Sequence, residues 1–201
     1  MRKLTFLILF LISIECLSQK FNGGFIAGVS TSQVSGDNLG GYNKAGLNIG
    51  VFTQYPLSSI SNIKMEMTFI QKGSNNPKMN KNNIPDISTS YIEIPISVNY
   101  FQYDQLSLET GLSTGFLVNS SENDINGLIN NENTRPFHKI DFGAFIGLNY
   151  FFINYLNNRI FLNTRLGNSI IPIRSHASNA AYLFNKGQYN TVLSFSINYL
   201  L

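Results

Sequence analysis

Through most of its length the chain alternates apolar and polar side chains with a period of two, and no window sustains the three, four, seven spacing of an amphipathic helix. Such a chain folds as strands with one apolar and one polar face. In GGFIAGVST, Phe25, Ala27 and Val29 oppose Gly24, Gly28 and Ser30. In KAGLNIGVFTQY, Leu47, Ile49, Val51 and Tyr55 oppose Gly46, Asn48, Gly50 and Gln54. NIKMEMTFIQK sets Ile63, Met65, Met67 and Phe69 against Lys64, Glu66 and Thr68, and SYIEIPISVNY sets Ile92, Ile94, Ile96, Val98 and Tyr100 against Tyr91, Glu93, Pro95, Ser97 and Asn99. Four further segments follow the same rule. Leu106, Leu108, Leu112 and Phe116 oppose Ser107, Glu109, Gly111, Ser113 and Gly115, and Ile140, Phe142, Ala144, Ile146, Leu148 and Tyr150 oppose Lys139, Asp141, Gly143, Gly147 and Asn149. Ile160, Leu162 and Leu166 oppose Asn163, Arg165 and Gly167, and Leu193, Phe195, Ile197, Tyr199 and Leu201 oppose Ser194, Ser196 and Asn198. The chain therefore reads as all-β with eight strands.

Four of these strands end on Tyr55, Tyr100, Tyr150 and Tyr199, spaced by 45, 50 and 49 residues. The connections alternate in length. Those near PLSSIS, FQYDQ and FFINYLNN are short, whereas those at 35–43, 73–89, 119–137 and 172–187 are long and rich in Asn, Gly, Ser and Pro. Short turns at one end and long polar loops at the other are the pattern of an up-and-down transmembrane barrel. An up-and-down chain returns to the same membrane face every second strand, which explains the spacing. The four tyrosines are expected as a periplasmic aromatic girdle, each ring against lipid and each hydroxyl among headgroups. Phe69 and Phe116 are expected at the opposite rim.

The first residues are Met1, Arg2 and Lys3, followed by the uncharged stretch LTFLILFLISI and then ECLSQK. A short basic region, a brief apolar run and a small residue before the break form a secretory signal peptide, too short to span a bilayer as a helix. Residues 1–18 are read as the signal, cleaved after Ser18, and 19–201 as one outer-membrane β-barrel domain. Cys16 raises a lipoprotein reading, but Glu15 occupies the position that needs a small residue. Cleavage at Ser18 leaves no cysteine for a disulfide or a thiolate metal site. Losing Arg2, Lys3 and Glu15 brings the formal charge from +3 to +2, too small a balance to point to nucleic acid or a polybasic membrane patch.

Alternation alone does not say which face points inward, and a soluble lipocalin-like barrel keeps its apolar face inside. Here the polar face is rich in Gly, Ser and Asn, small enough for the narrow interior of eight strands. Strands of about ten residues also match the tilted apolar band of a membrane barrel. The fold expected is an eight-stranded antiparallel up-and-down transmembrane β-barrel in the outer membrane of a Gram-negative bacterium, among its lipids and lipopolysaccharide. The final segment TVLSFSINYLL is expected to be handled by the barrel-assembly machinery, although Leu201 replaces the usual terminal aromatic.

The segments GGFIAGVSTSQVSGDNLGGYNKAGLNIGVF, EMTFIQKGS, SYIEIPISVNY and FSINYLL, in this order, resemble the PorT-like outer-membrane β-barrel proteins of Bacteroidetes. The resemblance spans nearly all of residues 19–201. It implies an OmpA/OmpX-like eight-stranded barrel and, because the family's namesake is linked to a secretion system, an envelope or secretion-system protein as partner. Most members have no established activity.

The polar face carries Lys64, Glu66, Glu93, Glu109, Lys139, Asp141 and Arg165. Isolated charges inside a narrow barrel are costly, so these are expected to pair as a structural network, with a proton or ion path as the alternative. His138 and His176, the latter beside Ser175, are the two histidines. They could serve a lipid-A-modifying enzyme, but neither has a triad spacing. Asp37 and Asn38 in VSGDNLGGY lack the ligand pattern of a calcium loop and read as a tight turn. The Asn-rich stretches GSNNPKMNKNN and NSSENDINGLINNEN could meet glycans or a protein, or simply be solvated loops. The sequence marks no catalytic, cofactor-binding or metal-binding set.

Overall fold

The computed structural model describes residues 21–82, 84–103, 105–129, 136–152, 159–175 and 187–201. The signal region 1–18 with Cys16, and His176, lie outside the described residues. The long strands are β1 (Asn22–Ser35), β2 (Lys44–Ser58), β3 (Ser61–Ser74), β4 (Asp86–Tyr103), β5 (Leu106–Asp124), β7 (Ile140–Phe151), β8 (Ile160–Ser169) and β10 (Gly187–Leu200). Two short strands, β6 (Gly127–Leu128) and β9 (Arg174–Ser175), extend the loop end, and a helical turn α1 (Met79–Asn82) sits between β3 and β4. Each long strand pairs antiparallel with its neighbour, and β1 pairs with β10 from Gly24↔Leu200 to Ser35↔Tyr189. The eight long strands thus form a closed antiparallel barrel.

The apolar faces point out. Phe25, Val29, Leu47, Ile49, Val51, Met65, Met67, Ile96, Leu112, Ile146 and Ile197 are exposed on the outer wall, while Ser30, Asn48, Lys64, Glu66, Glu93, Ser97, Glu109, Asp141 and Asn198 are buried within. This inverts a lipocalin, so the soluble-barrel reading is excluded. Among the described residues no helix is long and apolar enough to cross a membrane; the strands do so.

Strands reach 19 residues in β5 and 18 in β4, beyond the expected ten. Pairing continues past the apolar band through Ser88↔Ser121 and Thr89↔Ser120, because a ladder is held by backbone groups and needs no apolar face. The connections after β3 and β5 are correspondingly shorter than the sequence suggests. Phe69 and Phe116 face outward in one row of partners, Ile49↔Phe69↔Ile92↔Phe116↔Ile140, and Phe69 is the last apolar residue on the outer face of β3, where Gln71 follows.

Two irregularities shape the interior. Pro95 is buried in β4 and has no N–H to give; the β3–β4 pairing lapses there, between Met65↔Ile96 and Thr68↔Glu93, and resumes in the same register. In β5 the register steps from Tyr91↔Leu117 to Ser90↔Asn119, which makes Val118 an extra, outward residue. A one-residue bulge reverses the parity of everything after it. Glu122, which strict alternation from Glu109 would put on the outer wall, is therefore buried inside.

The turn at 36–43 has Gly36, Asn38 and Gly41 at positive φ, and Leu39 N–H donates to Asp37 Oδ1 at 2.8 Å. It is the tight turn its composition suggests. Gly28 faces inward at the closure seam, where an added Cβ would strike Phe195 O and Ser196 Cα of β10. Gly28→Val should therefore push β1 from β10 and cost about 1–3 kcal/mol, the usual range for overpacking. A lower urea midpoint of the heat-sensitive folded gel band would register it.

Candidate functional site

The outer wall meets lipid, so the chemistry-bearing side chains are those the strands turn inward. Lys64 and Glu66 come from β3, Glu109 from β5 and Arg165 from β8. Lys64 Nζ lies 3.0 Å from Glu66 Oε1 and 2.9 Å from Glu109 Oε1. Arg165 donates through Nε to Glu109 Oε2 at 3.0 Å and through Nη1 to Glu66 Oε2 at 2.8 Å, and its Nη2 bonds both carboxylates. Two cations and two carboxylates balance. A planar guanidinium can grip two carboxylates at once, which a lysine cannot. Phe145 covers the guanidinium, its ring centre 4.7 Å from Cζ.

Amides extend this cluster toward the short-turn end. Asn163 donates to Glu109 Oε2 and Asn149 Oδ1, both at 2.7 Å; Asn149 donates to Asn99 Oδ1 at 2.8 Å, and Asn99 to Asn62 Oδ1 at 2.8 Å. Ser97 Oγ adds a bond to Glu109 Oε1 at 2.7 Å. Asn163 starts the chain as a donor, and Asn149 and Asn99 each accept from one neighbour and donate to the next, so the bonds satisfy groups that burial would otherwise penalise.

A second cluster lies toward the loops. Lys72 is ion-paired with Glu93 and, at 3.1 Å, with Asp141 Oδ2, which also receives Asn190 Nδ2 at 3.0 Å. The Tyr91 ring lies beneath the ammonium, its centre 5.2 Å away. At the mouth, Arg174 pairs with Glu122 at 2.8 Å, donates to Gln188 Oε1 at 2.9 Å and stacks over Phe137.

Apolar layers bracket these clusters. At the short-turn end, Phe52, Phe161 and Ile26 form a core with Phe151 and Leu200 against it; the Phe151 and Phe161 rings stack at 4.8 Å, and Phe101 lies 5.5 Å from Phe151. Ile70, Tyr91 and Val192 form a middle layer, and Val34, Ile87 and Ile173, with Phe137, close the loop end. Ile173 is fastened by its N–H to Gln188 O at 2.8 Å and by its carbonyl to His138 N at 2.7 Å. The barrel interior is thus filled by side chains in alternating charged and apolar layers.

Lys64, Glu66, Glu93, Glu109, Asp141 and Arg165 are brought together inside. Lys139 is not: it stands exposed at the bend before β7, where regular pairing with β5 begins at Phe116↔Ile140. Lys72, Glu122, Arg174 and the asparagine chain were missed. Lys72 was findable by carrying the alternation of Lys64 and Glu66 to the end of β3; Glu122 was not, because the bulge changes its parity. Tyr55, Tyr100 and Tyr150 are exposed on the outer wall and Tyr199 is half-buried there, all at the short-turn end through Tyr55↔Ile63, Tyr100↔Leu108, Tyr150↔Leu162 and Tyr199↔Ile160. Phe21 and Phe152 add rings beside Tyr55 and Tyr150, at 5.1 and 5.5 Å.

A family model described as outer membrane protein beta-barrel domain matches residues 17–174. The chain belongs to this family. Its members' name places them in the Gram-negative outer membrane, in keeping with the apolar outer wall. Solved structures of Ail agree in fold. Ail, the attachment invasion locus protein of Yersinia pestis, superposes with a TM-score of 0.52 at 11% identity, covering 91% of this chain and 100% of Ail, both alone and in complex with the heparin analogue sucrose octasulfate. Neisserial surface protein A gives a TM-score of 0.49 at 12% identity, over 90% of this chain and 97% of its own. No curated protein sequence matches significantly.

Replacing Arg165 leaves Glu66 and Glu109 sharing one lysine in a buried site. Arg165→Met should destabilise the barrel by about 3–5 kcal/mol, the range for breaking a buried pair, and adding Glu66→Gln should recover part of the loss. The chain has no tryptophan, so the folded fraction is best followed by gel mobility in a urea series. At the loop end, burial pushes the Asp37 carboxyl above the ordinary carboxylate range. The folded chain then holds this proton more tightly than the unfolded one, so this residue's contribution to stability falls as pH rises through the ordinary carboxylate value to the raised one. Asp37→Asn, which keeps the oxygen accepting from Leu39, should remove that slope from a plot of urea midpoint against pH.

Proposed function

We propose that this chain is a non-catalytic integral outer-membrane barrel that anchors its long polar loops as a docking or tethering surface for an envelope protein. The observation that carries the reading is the filled interior: charged clusters and aromatic layers occupy the space a solute would need, which leaves the two rims as the surfaces able to act. An eight-stranded barrel has little interior room to begin with. The reading includes removal of residues 1–18 on export and handling by the barrel-assembly machinery, with lipid and lipopolysaccharide around the wall. Membership of the PorT-like group of Bacteroidetes, and with it a secretion-system partner, is part of the proposal and is supported by the GD, GYNKAG, QKG and YIEIP segments.

The lipid-A-modifying alternative draws less support. His138 lies at the loop end with Nδ1 2.9 Å from Pro172 O, so a backbone carbonyl engages its ring where a triad would use a carboxylate. Expressed in a Gram-negative host, the chain should enter the detergent-insoluble outer-membrane fraction as a heat-modifiable band while the lipid A mass spectrum stays the same as in cells lacking it. A new lipid A species dependent on the chain would overturn the non-catalytic reading.

A further inference from the structure

Between the two charged clusters lies a cavity of about 50 Å³, lined by Asn48, Thr68, Lys72, Asp141, Ser169 and Asn190 among others. Apart from Glu93 Oε1, which is ion-paired with Lys72, three buried oxygens of its lining accept no hydrogen bond from the protein: Asp141 Oδ1, Asn48 Oδ1 and Asn190 Oδ1. Their residues are at most 6% exposed. The amide of Asn190 is oriented by its own donation to Asp141 Oδ2, so the remaining atom is its carbonyl oxygen. The ammonium and backbone donors nearby are committed elsewhere, which leaves the hydroxyls of Ser169, beside Asp141, and Tyr91, beside Asn190, as the remaining donors. Lys72 serves Glu93 and Asp141 Oδ2, Asn190 N–H goes to Ser169 Oγ at 3.2 Å, and Thr89 Oγ1 goes to Lys72 O at 3.2 Å.

Charge points the same way. The Lys64, Glu66, Glu109 and Arg165 cluster is neutral, as is the Arg174–Glu122 pair. Around Lys72 there are two carboxylates to one ammonium, a surplus of one negative charge in a site shielded from water. Such a surplus is costly unless compensated. We propose that this cavity binds one small monovalent cation of the sodium or potassium class through the oxygens of Asp141, Asn48 and Asn190. Oxygen-only coordination suits a hard cation. A monovalent ion neutralises the site, whereas a divalent one would reverse the surplus. The volume also admits a water or two to complete the coordination, each needing about 10–15 Å³.

The test is to refold the full chain from urea into phosphocholine vesicles in sodium, potassium or choline chloride at one ionic strength and pH, and to measure the urea midpoint by gel mobility. With sodium or potassium at ten times its Kd, one bound ion should raise the folding constant about elevenfold over choline. The increment should saturate with cation concentration. It should vanish in Asp141→Asn, where Lys72 and Glu93 balance, and shrink in Asn48→Ala, which removes an oxygen and leaves the charges unchanged. Equal wild-type midpoints in all three salts would overturn the proposal in favour of a proton or water in the cavity. An increment retained in both variants would place the cation elsewhere and overturn it equally.

Discussion

The structure depends on the pairing of its first long strand with its last. Hydrocarbon offers no hydrogen-bond partners, so every backbone N–H and C=O at membrane depth must be satisfied within the protein, and a sheet achieves this only by closing on itself. The seam from Gly24↔Leu200 to Ser35↔Tyr189 removes the two free edges. It also explains small residues at the seam, since Gly24 and Gly28 lie where a side chain would meet the backbone of β10. Closing on only eight strands then dictates the rest: the interior is narrow, its residues face one another across a few ångströms, and whatever enters it must pack or pair.

The interior meets that demand with layers of different chemistry. Where carboxylates enter, a lysine or arginine from another strand meets them, and the longest of these links joins Glu66 on β3 to Arg165 on β8 across the lumen. Such pairs are weak sources of net stability, because desolvation offsets much of their attraction. Their consequence is geometric: an arrangement in which Arg165 missed its partners would leave charges buried alone, so the network disfavours other registers. The aromatic layer of Phe52, Phe151 and Phe161 works by ordinary apolar packing, and Lys64 lies within 6 Å of two of those rings, 5.9 Å from Phe52 and 5.7 Å from Phe161. Charged and apolar layers thus contact each other directly.

A filled lumen moves functional attention to the rims. At the short-turn end the tyrosines and their phenylalanine neighbours suit the lipid interface. At the loop end, Ile173, Arg174 and Gln188 tie the chain before β9 to β10 and to Glu122, so the loops rise from a fastened base. A rigid frame carrying variable polar loops is a common way to present a binding surface.

Eight strands, their faces and the common level of Tyr55, Tyr100, Tyr150 and Tyr199 were legible in the sequence, because side-chain alternation has a fixed period of two and an up-and-down chain returns to each rim at a regular interval. Inward placement of Lys64, Glu66, Glu93, Glu109, Asp141 and Arg165 followed from the same parity. What alternation cannot carry is the extra residue at Val118, since a bulge exists only relative to a partner strand, and it decides that Glu122 meets Arg174. Nor does parity say which inward residues face one another across the lumen, because that depends on strand tilt and closure. Lys139 has the right parity and falls outside the network, while Phe52 and Phe161 sit in otherwise polar faces and form a core. The sequence by itself determined strands, faces and membrane setting, which are local and periodic; the tertiary structure alone decided the pairings inside, because even the ion pairs join residues up to 99 positions apart.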